Sequence, residues 1–398
     1  MNGVVEIMMK CIRKEVCGWD GQIVLPDFSS AFFQSLYKLS KSHDVAHLVG
    51  EALAENNLPS TEGLDAEEAG AIDLIKAKFQ KQTMMAVYRY ENINAELENI
   101  RSIFNADKIP FIPLKGSVLR DFYPLPYQRT SCDIDVLVHE DDLDRAVAAL
   151  EKDEAFTVDS KGSHDVGLFS GGGVHLELHY SLIESKVIGT AEKLLEDVWD
   201  YALKIGETSE YRLIDEFFYY YHVAHAAKHF VNGGCGVRPL IDTWILEHEV
   251  VHDEEKRVAL LERGGLSEFA KQIELLAEVW FGDAEPTETT EKIEKYVLSG
   301  GVYGTTENRV SVQQVKKGGK VKYALSRIWL PYDTLKFHYP SLEKHRWLLP
   351  FYEVRRWCKL IFCGGVKRSV NELSYNAQTK KEDREEVKDL LAKLNLDE

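Results

Sequence analysis

The sequence predicts an α+β protein, with a small mixed β-sheet flanked by N-terminal helices and by a larger C-terminal helical lobe. Apolar residues recur at helical spacing over residues 28–105. Short strand-like runs then alternate with helical patterns as far as residue 182. From about residue 191 the pattern is helical throughout. These observations divide the chain into an N-terminal helical region (1–105), a core (106–190), a helical lobe (191–365) and a charged tail (366–398) that is expected to be partly mobile.

The composition limits the classes of function. The chain has 398 residues and is 44% hydrophobic, more than a single core accommodates. Its net charge of −17, from 65 acidic and 48 basic residues, argues against a general nucleic-acid binder and favours a small substrate or a protein partner. The N-terminus lacks the order of a secretory signal, and the six scattered cysteines suggest neither disulfides nor a zinc knuckle. A cytoplasmic protein is expected.

The N-terminal region should consist of helices that lead to a buried strand. Phe32, Phe33, Leu36 and Tyr37 have helical spacing. A long helix should begin at Ala66. Its apolar face comprises Ile72, Leu74, Ile75, Phe79, Met84, Val87, Tyr88, Ile93, Leu97, Ile100 and Phe104. We expect this face to pack against the strand that follows.

The core should contain five strands and two helices. Strands are predicted at 109–114, at 132–138, near Thr157, near Leu168 and at 174–182. A short helix should follow Gly116-Ser117, and another should span 141–152. Further along the chain, residues 347–362 are predicted to form an amphipathic helix. We favour packing against the C-terminal lobe over binding to a membrane surface as its role. Its three cations and its proline exclude an ordinary membrane span.

The most informative motif is Asp133-Ile134-Asp135 at the start of the second strand. Side chains alternate faces along a strand, so both carboxylates share one face while Ile134 points into apolar packing. Two such charges about 4 Å apart repel by about 4 kcal/mol at an effective dielectric of 20, a cost that a divalent cation would remove. If the strand carrying Glu177 lies alongside, three carboxylates converge, and three acids can hold two Mg²⁺ ions.

Several neighbouring residues are candidates for the same site. The Gly116-Ser117 pair, after Lys115, ends a strand and begins a helix, where free backbone N–H groups favour a triphosphate. Arg129 could neutralise phosphate. His175 and His179 flank Glu177 and could bind zinc or iron, but we favour hydrogen bonding around the site, with His179 beside the metal ligands.

The second half of the chain adds a helical face and a possible ion pair. His225, Lys228 and His229 share one helix face, so Lys228 could reach a phosphate, or the histidines could simply be core residues. Arg238 and Asp242 are four residues apart and could pair with each other or frame the floor of a cleft.

These motifs resemble the uncharacterised nucleotidyltransferase family of the polymerase-β-like nucleotidyltransferase superfamily. The resemblance covers roughly 70–365. It is carried by Leu114-Lys-Gly-Ser117, Tyr123-Pro-Leu-Pro126, Arg129, Asp133-Ile-Asp135, Leu176-Glu-Leu-His179, the helix from His222 to Phe230, Gly236-Val-Arg-Pro-Leu-Ile-Asp242, Tyr339-Pro340 and Trp347-Leu-Leu-Pro350. The chain departs from the superfamily in a longer gap between Ser117 and Asp133 and in Ser131-Cys132, where a small residue, commonly glycine, is expected.

The resemblance implies a nucleotidyltransferase core with Asp133 and Asp135 as metal ligands. Glu177 would be a third ligand or the base for an acceptor hydroxyl. The expected reaction is magnesium-dependent transfer of a nucleoside monophosphate from ATP or another nucleoside triphosphate to a small molecule or a protein hydroxyl. Two alternatives stay open: an inactive nucleotide-binding or scaffold protein, and a metal-dependent phosphohydrolase that also uses His175 and His179.

Overall fold

The N-terminal region of the computed structural model is helical, and its helices begin earlier than predicted. The structure describes residues 3–183, 191–302, 304–330, 332, 335–336, 339, 341–362 and 366–397. Its first helices are α1 (Gly3–Val16), α2 (Ser30–Ser42), α3 (Ala46–Glu55) and α4 (Ala66–Ala106). Helix α1 lies before the predicted start at residue 28. Asp65 caps α4 by accepting a hydrogen bond from the Glu68 backbone N–H at 2.9 Å.

Helix α4 joins two cores. Ile72, Ile75 and Phe79 pack with α1, α2 and α3, whereas the C-terminal half of the helix lies against the sheet. Part of the predicted apolar face is exposed, at Leu74, Met84 and Tyr88. These residues continue the apolar pattern, but no neighbouring element covers them along the described chain.

The central sheet is mixed, as predicted. Its strands are β1 (Phe111–Leu114), β2 (Asp133–Val138), β3 (Phe156–Lys161), β4 (Asp165–Ser170) and β5 (His175–His179), and their order in the sheet is β1-β2-β5-β4-β3. Only β2 and β5 pair in parallel. The connecting helices are α5 (Gly116–Leu119) and α6 (Leu143–Glu151). Ile134, Val136 and Val138 are buried with the C-terminal half of α4, which leaves the aspartates on the opposite face.

The rest of the described chain is helical apart from one hairpin. Its helices are α7 (Ala191–Glu196), α8 (Asp215–Val231), α9 (Arg238–His248), α10 (Glu254–Arg263), α11 (Ser267–Phe281), α12 (Glu288–Gly300), α13 (Thr306–Lys316), α14 (Lys320–Ile328), α15 (Ser341–Lys344), α16 (Leu349–Phe362), α17 (Val366–Gln378) and α18 (Lys381–Lys393). The prediction of a wholly helical lobe is wrong at β6 (Ala202–Lys204) and β7 (Tyr211–Leu213), which pair antiparallel. The fold class itself is confirmed.

Both ends of the described chain pack against the rest of the protein. Helices α17 and α18 both pack on α13, and Leu390, Leu391 and Leu394 are buried, so the described part of the tail folds onto the lobe. Helix α1 packs on α11, which places the first helices and the lobe in one core. The four-part division of the chain stays a prediction. Among the described residues, no helix is long and apolar enough to cross a membrane.

Candidate active site

The acidic residues lie on the parallel pair of strands. Asp133 is opposite His175 in the register of β2 and β5, and Asp135 is opposite Glu177. Because the two strands are neighbours, the carboxylates of Asp135 and Glu177 lie on the same face of adjacent strands. Glu177 is therefore near the aspartate pair, as the convergence of three acids requires.

Three side chains come close enough to share one cation. One ligand atom from each of Asp135, Glu177 and His179 lies within 4.8 Å of the others. The His179 Nε2 atom is 2.8 Å from Asp135 Oδ1 and 3.5 Å from Glu177 Oε2. This group includes His179 in the place expected for Asp133. A set of two carboxylates and one imidazole suits a divalent cation that prefers oxygen ligands, with His179 as a neighbour or as a nitrogen ligand.

The cluster opens into a cavity of about 370 Å³ between the sheet and α8. Asp133, Asp135 and Glu177 form its acidic wall. Other lining residues that the sequence predicted are Lys115, Gly116, Arg129, His225, Lys228, His229, Arg238 and Asp242. The cavity thus brings carboxylates and cationic side chains to one surface.

Lys115 contacts the buried carboxylate directly. Its Nζ atom is 2.6 Å from Asp135 Oδ1, and Asp135 is only 4% exposed. Burial would raise the pKa of Asp135, but Lys115 and the hydrogen bond from His179 hold it far below its ordinary value. Burial would lower the pKa of Lys115, and Asp135 instead raises it well above its ordinary value. In this structure Lys115 is therefore the counter-ion of Asp135.

The same cluster of charges raises the pKa of both Asp133 and His179. Burial raises the pKa of Asp133, and the neighbouring Asp135 and Glu177 raise it further. Burial works to lower the pKa of His179, but its hydrogen bonds to Asp135 and Glu177 raise it. The acids of the cluster thus add to the effect of burial at Asp133 and oppose it at His179, and a bound cation would reduce both influences.

The turn before α5 brings backbone to the edge of the cavity. Lys115 has a φ of +47°, a conformation that costs a non-glycine residue about 1–3 kcal/mol and places its side chain in the site. A Cβ atom at Gly116 would lie 3.1 Å from Ser131 Cβ, so the close approach of these segments favours glycine. Arg120 braces the turn by donating to the Gly116 carbonyl at 2.7 Å and to Ser131 Oγ at 2.9 Å. Ser117, predicted to bind nucleotide, is buried, and α5 has only four residues.

Arg129 does not lie free to meet a phosphate. Its Nε and Nη2 atoms bind the two carboxylate oxygens of Asp242 at 2.6 Å and 2.8 Å. Tyr123 also donates its hydroxyl to Asp242, at 2.7 Å. Burial would raise the pKa of Asp242, but Arg129 lowers it below its ordinary value. The loop before β2 is thereby tied to α9.

The expected pair between Arg238 and Asp242 does not form. Arg238 Nη1 donates to the Thr130 carbonyl at 2.9 Å and to Asp44 Oδ2 at 3.3 Å. The cause is that α9 begins at Arg238, where its side chain turns towards the loop before β2 and leaves Asp242 to Arg129. Both residues nevertheless line the cavity, as the cleft-floor interpretation expects.

Helix α8 covers the cavity with its histidine face. The Nε2 atoms of His225 and His229 are 3.1 Å apart. Burial, followed by Lys115 and His229, lowers the pKa of His225 well below its ordinary value. A neutral imidazole can both donate and accept a hydrogen bond, so His225 adds a polar, uncharged group to the cavity wall.

Some lining residues escaped the sequence analysis. His164, which precedes β4, and Asp165, its first residue, line the cavity, as does Tyr221 on α8. Their signal is weak in the sequence, since only the pairing of β4 with β5 brings Asp165 opposite His179. His175, in contrast, lies against the Phe169 ring at 4.9 Å between centroids and stands outside the three-residue group.

Comparison with known proteins adds one finding. Residues 29–282 match the sequence model of a protein family described as an uncharacterised nucleotidyltransferase. No curated protein and no solved structure matches the chain. The match includes α2 to α11 and so contains every acidic residue of the cavity.

Proposed function

The chain belongs to the family of uncharacterised nucleotidyltransferases, and on that premise we propose that it transfers a nucleoside monophosphate from a nucleoside triphosphate to an acceptor hydroxyl. The observation that carries this proposal is the register of β2 and β5. Asp135 lies beside Glu177 in this register. Both residues and Asp133 line a cavity that Lys115 and Lys228 also line. The acceptor is a small molecule or a protein hydroxyl, since the acidic chain disfavours general nucleic-acid binding.

The site fits divalent cations by its chemistry. Asp133, Asp135 and Glu177 would hold Mg²⁺, two ions in the full site, because oxygen ligands suit this ion. Repulsion from Asp135 and Glu177 adds to burial in raising the pKa of Asp133, and a bound cation would offset that repulsion. When bound, the ions supply charge neutralisation at the reacting phosphate and at the departing pyrophosphate.

The residues of the chain have separate proposed tasks. Lys228 neutralises phosphate charge, and Lys115, which pairs with Asp135 at 2.6 Å, would turn to phosphate once a metal ion replaces it beside that carboxylate. Gly116 allows the backbone to approach the phosphate. Glu177, if it is not a ligand, accepts the proton of the acceptor hydroxyl. His179 holds Asp135 in place through its 2.8 Å hydrogen bond. Arg129, Arg238 and Asp242 act on the floor of the cavity, where they fix the loop before β2 on α9.

The test follows the α-phosphate. Each of four nucleoside triphosphates labelled at that position is incubated with the protein, Mg²⁺ and candidate acceptors such as aminoglycosides, sugars and proteins. We expect pyrophosphate release together with label on an acceptor, and loss of both in Asp135→Asn. Asp159→Asn, an exposed acid on β3 of the same sheet, is the matched control and should be unchanged.

Two other results would replace the proposal. Cleavage of the nucleotide with no label on an acceptor would indicate a phosphohydrolase. Nucleotide binding with neither cleavage nor transfer would indicate an inactive binding or scaffold protein.

A further inference from the structure

One segment of this acidic chain is strongly basic. Residues 316–368 contain thirteen Lys and Arg residues against three acidic ones, a net charge of +10. Since the whole chain carries −17, the remaining residues carry −27. We call 316–368 the basic segment. Six of its thirteen cations lie on the helices α14 and α16.

Helix α16 presents an exposed apolar stripe. Phe351, Val354, Cys358 and Ile361 recur at intervals of four and three residues, so on an α-helix they lie within an arc of about 80°. The exposed fractions of the three large residues are 61%, 62% and 57%. Cys358 is exposed too. These four residues, the exposed stripe, are not packing residues of the lobe, which corrects that part of the sequence interpretation.

The opposite face of α16 fixes its orientation. Glu353 is 1% exposed and accepts a hydrogen bond from the Leu330 backbone N–H at 2.6 Å. Arg356 Nη2 and Trp357 Nε1 both donate to the Ile328 carbonyl, at 2.7 Å and 3.2 Å. Helix α16 is thus attached to the end of α14 by its polar face, and the exposed stripe must face outward.

Helix α14 extends the same surface. Val321, Leu325 and Ile328 recur at four and three residues and are exposed, with Val321 at 73%. The other side of α14 is held by α17, where Glu372 accepts hydrogen bonds from the Tyr323 hydroxyl and from Arg327. Two anchored helices therefore present apolar residues outward within one basic segment.

Indole rings add a third property. Trp329 and Trp347 are exposed, the latter at 76%, and they lie next to the ends of α14 and α16. Tryptophan is enriched where an apolar phase meets water, because its ring is apolar and its N–H is polar. Arg355 and Lys359 lie on α16 beside the exposed stripe, and both are exposed.

We propose that this surface binds membranes that contain anionic lipids. The exposed stripe would enter the boundary between headgroups and acyl chains, and the cations of the basic segment would contact the headgroups. A symmetric dimer through the same surface would bring one +10 segment against another, which disfavours a second copy as the occupant. Regularly spaced aliphatic residues favour a lipid phase over single-stranded nucleic acid, which selects stacking platforms in a groove.

The test uses the full chain and vesicles of phosphatidylcholine with or without phosphatidylglycerol. We expect sedimentation with the anionic vesicles only, weakening as salt is added. The double variant Phe351→Ser, Val354→Ser should bind at least about tenfold more weakly. The matched control is Leu74→Ser with Met84→Ser, which removes two exposed apolar residues from α4 and should bind as the unaltered chain does.

A second measurement needs no variant. Brominated acyl chains in anionic vesicles should quench part of the tryptophan fluorescence, because Trp347 would sit at the bilayer boundary. Equal binding to both kinds of vesicle, no binding, or no quenching would overturn the proposal. So would self-association without lipid that the stripe variant abolishes, or oligonucleotide binding that excludes vesicles. None of these outcomes depends on nucleotidyl transfer, so this proposal and the proposed function fail separately.

Discussion

The pair between Arg129 and Asp242 should stabilise the protein strongly, and the variant Arg129→Met tests this. Both side chains are largely buried, with exposed fractions of 13% and 2%, and two short hydrogen bonds join them. Methionine keeps most of the length of the side chain but removes the charge. Asp242 would then keep its hydrogen bond from the Tyr123 hydroxyl but lose the guanidinium group that neutralises it. An uncompensated buried charge of this kind costs about 3–5 kcal/mol.

The assay is urea unfolding, followed by far-ultraviolet circular dichroism, of the unaltered chain, Arg129→Met, Asp242→Asn and the double variant. We expect the double variant to be less destabilised than the sum of the two single variants, with a coupling of about 1–3 kcal/mol. In Arg129→Met the pKa of Asp242 should rise because burial acts without Arg129, so the loss of stability should shrink as the pH falls from 8 to 5. Single-variant losses under about 1 kcal/mol that simply add would show that the pair contributes little to stability.

Three further variants probe Lys115, His43 and Phe104. Lys115→Met removes the cation at 2.6 Å from buried Asp135 and should lower the free energy of unfolding by about 3–5 kcal/mol. Added Mg²⁺ should restore part of the lost melting temperature, and no response to Mg²⁺ would count against a metal at Asp135. Burial lowers the pKa of His43 to about 4, so the neutral side chain gives its full contribution to the free energy of unfolding above pH 6.5. That contribution falls by about 2 kcal/mol between pH 6.5 and pH 5, because the imidazole is protonated in the unfolded chain first. His43→Leu should lose this part of the pH dependence of stability, and an unchanged pH dependence would contradict the prediction. Phe104→Ala should cost about 3–5 kcal/mol in urea unfolding because Phe104 is fully buried against Phe111, and a loss under about 1 kcal/mol would mean that α4 does not pack on the sheet.

The elements of the sheet were predictable because their signals are local. Asp133-Ile134-Asp135 alternates polar and apolar residues, and a single strand explains both the burial of Ile134 and the shared face of the acids. The convergence of Asp135 with Glu177 needed one added assumption, that β5 lies beside β2. The register confirms it.

The partners of the charged residues were not predictable in the same way. Arg129 pairs with a residue more than one hundred positions away, and only the packing of α9 on the loop before β2 brings Asp242 to it. Spacing along α9 suggested Arg238 instead, because helical periodicity detects neighbours within an element and not between elements. The hairpin of β6 and β7 was not predicted, because two strands of three residues each are too short to show an alternation of polar and apolar residues.

The central claim is that Asp135 and Glu177 bind divalent cations that are needed to hold a nucleoside triphosphate. The most direct measurement is the melting temperature of the chain with each triphosphate, with and without Mg²⁺, repeated for the double variant Asp135→Asn, Glu177→Gln and for the control Asp159→Asn. A triphosphate at one hundred times its dissociation constant should add about 2.7 kcal/mol of stability. We expect this gain only with Mg²⁺ and only when both acids are present. An equal gain without Mg²⁺, or in the double variant, would contradict it.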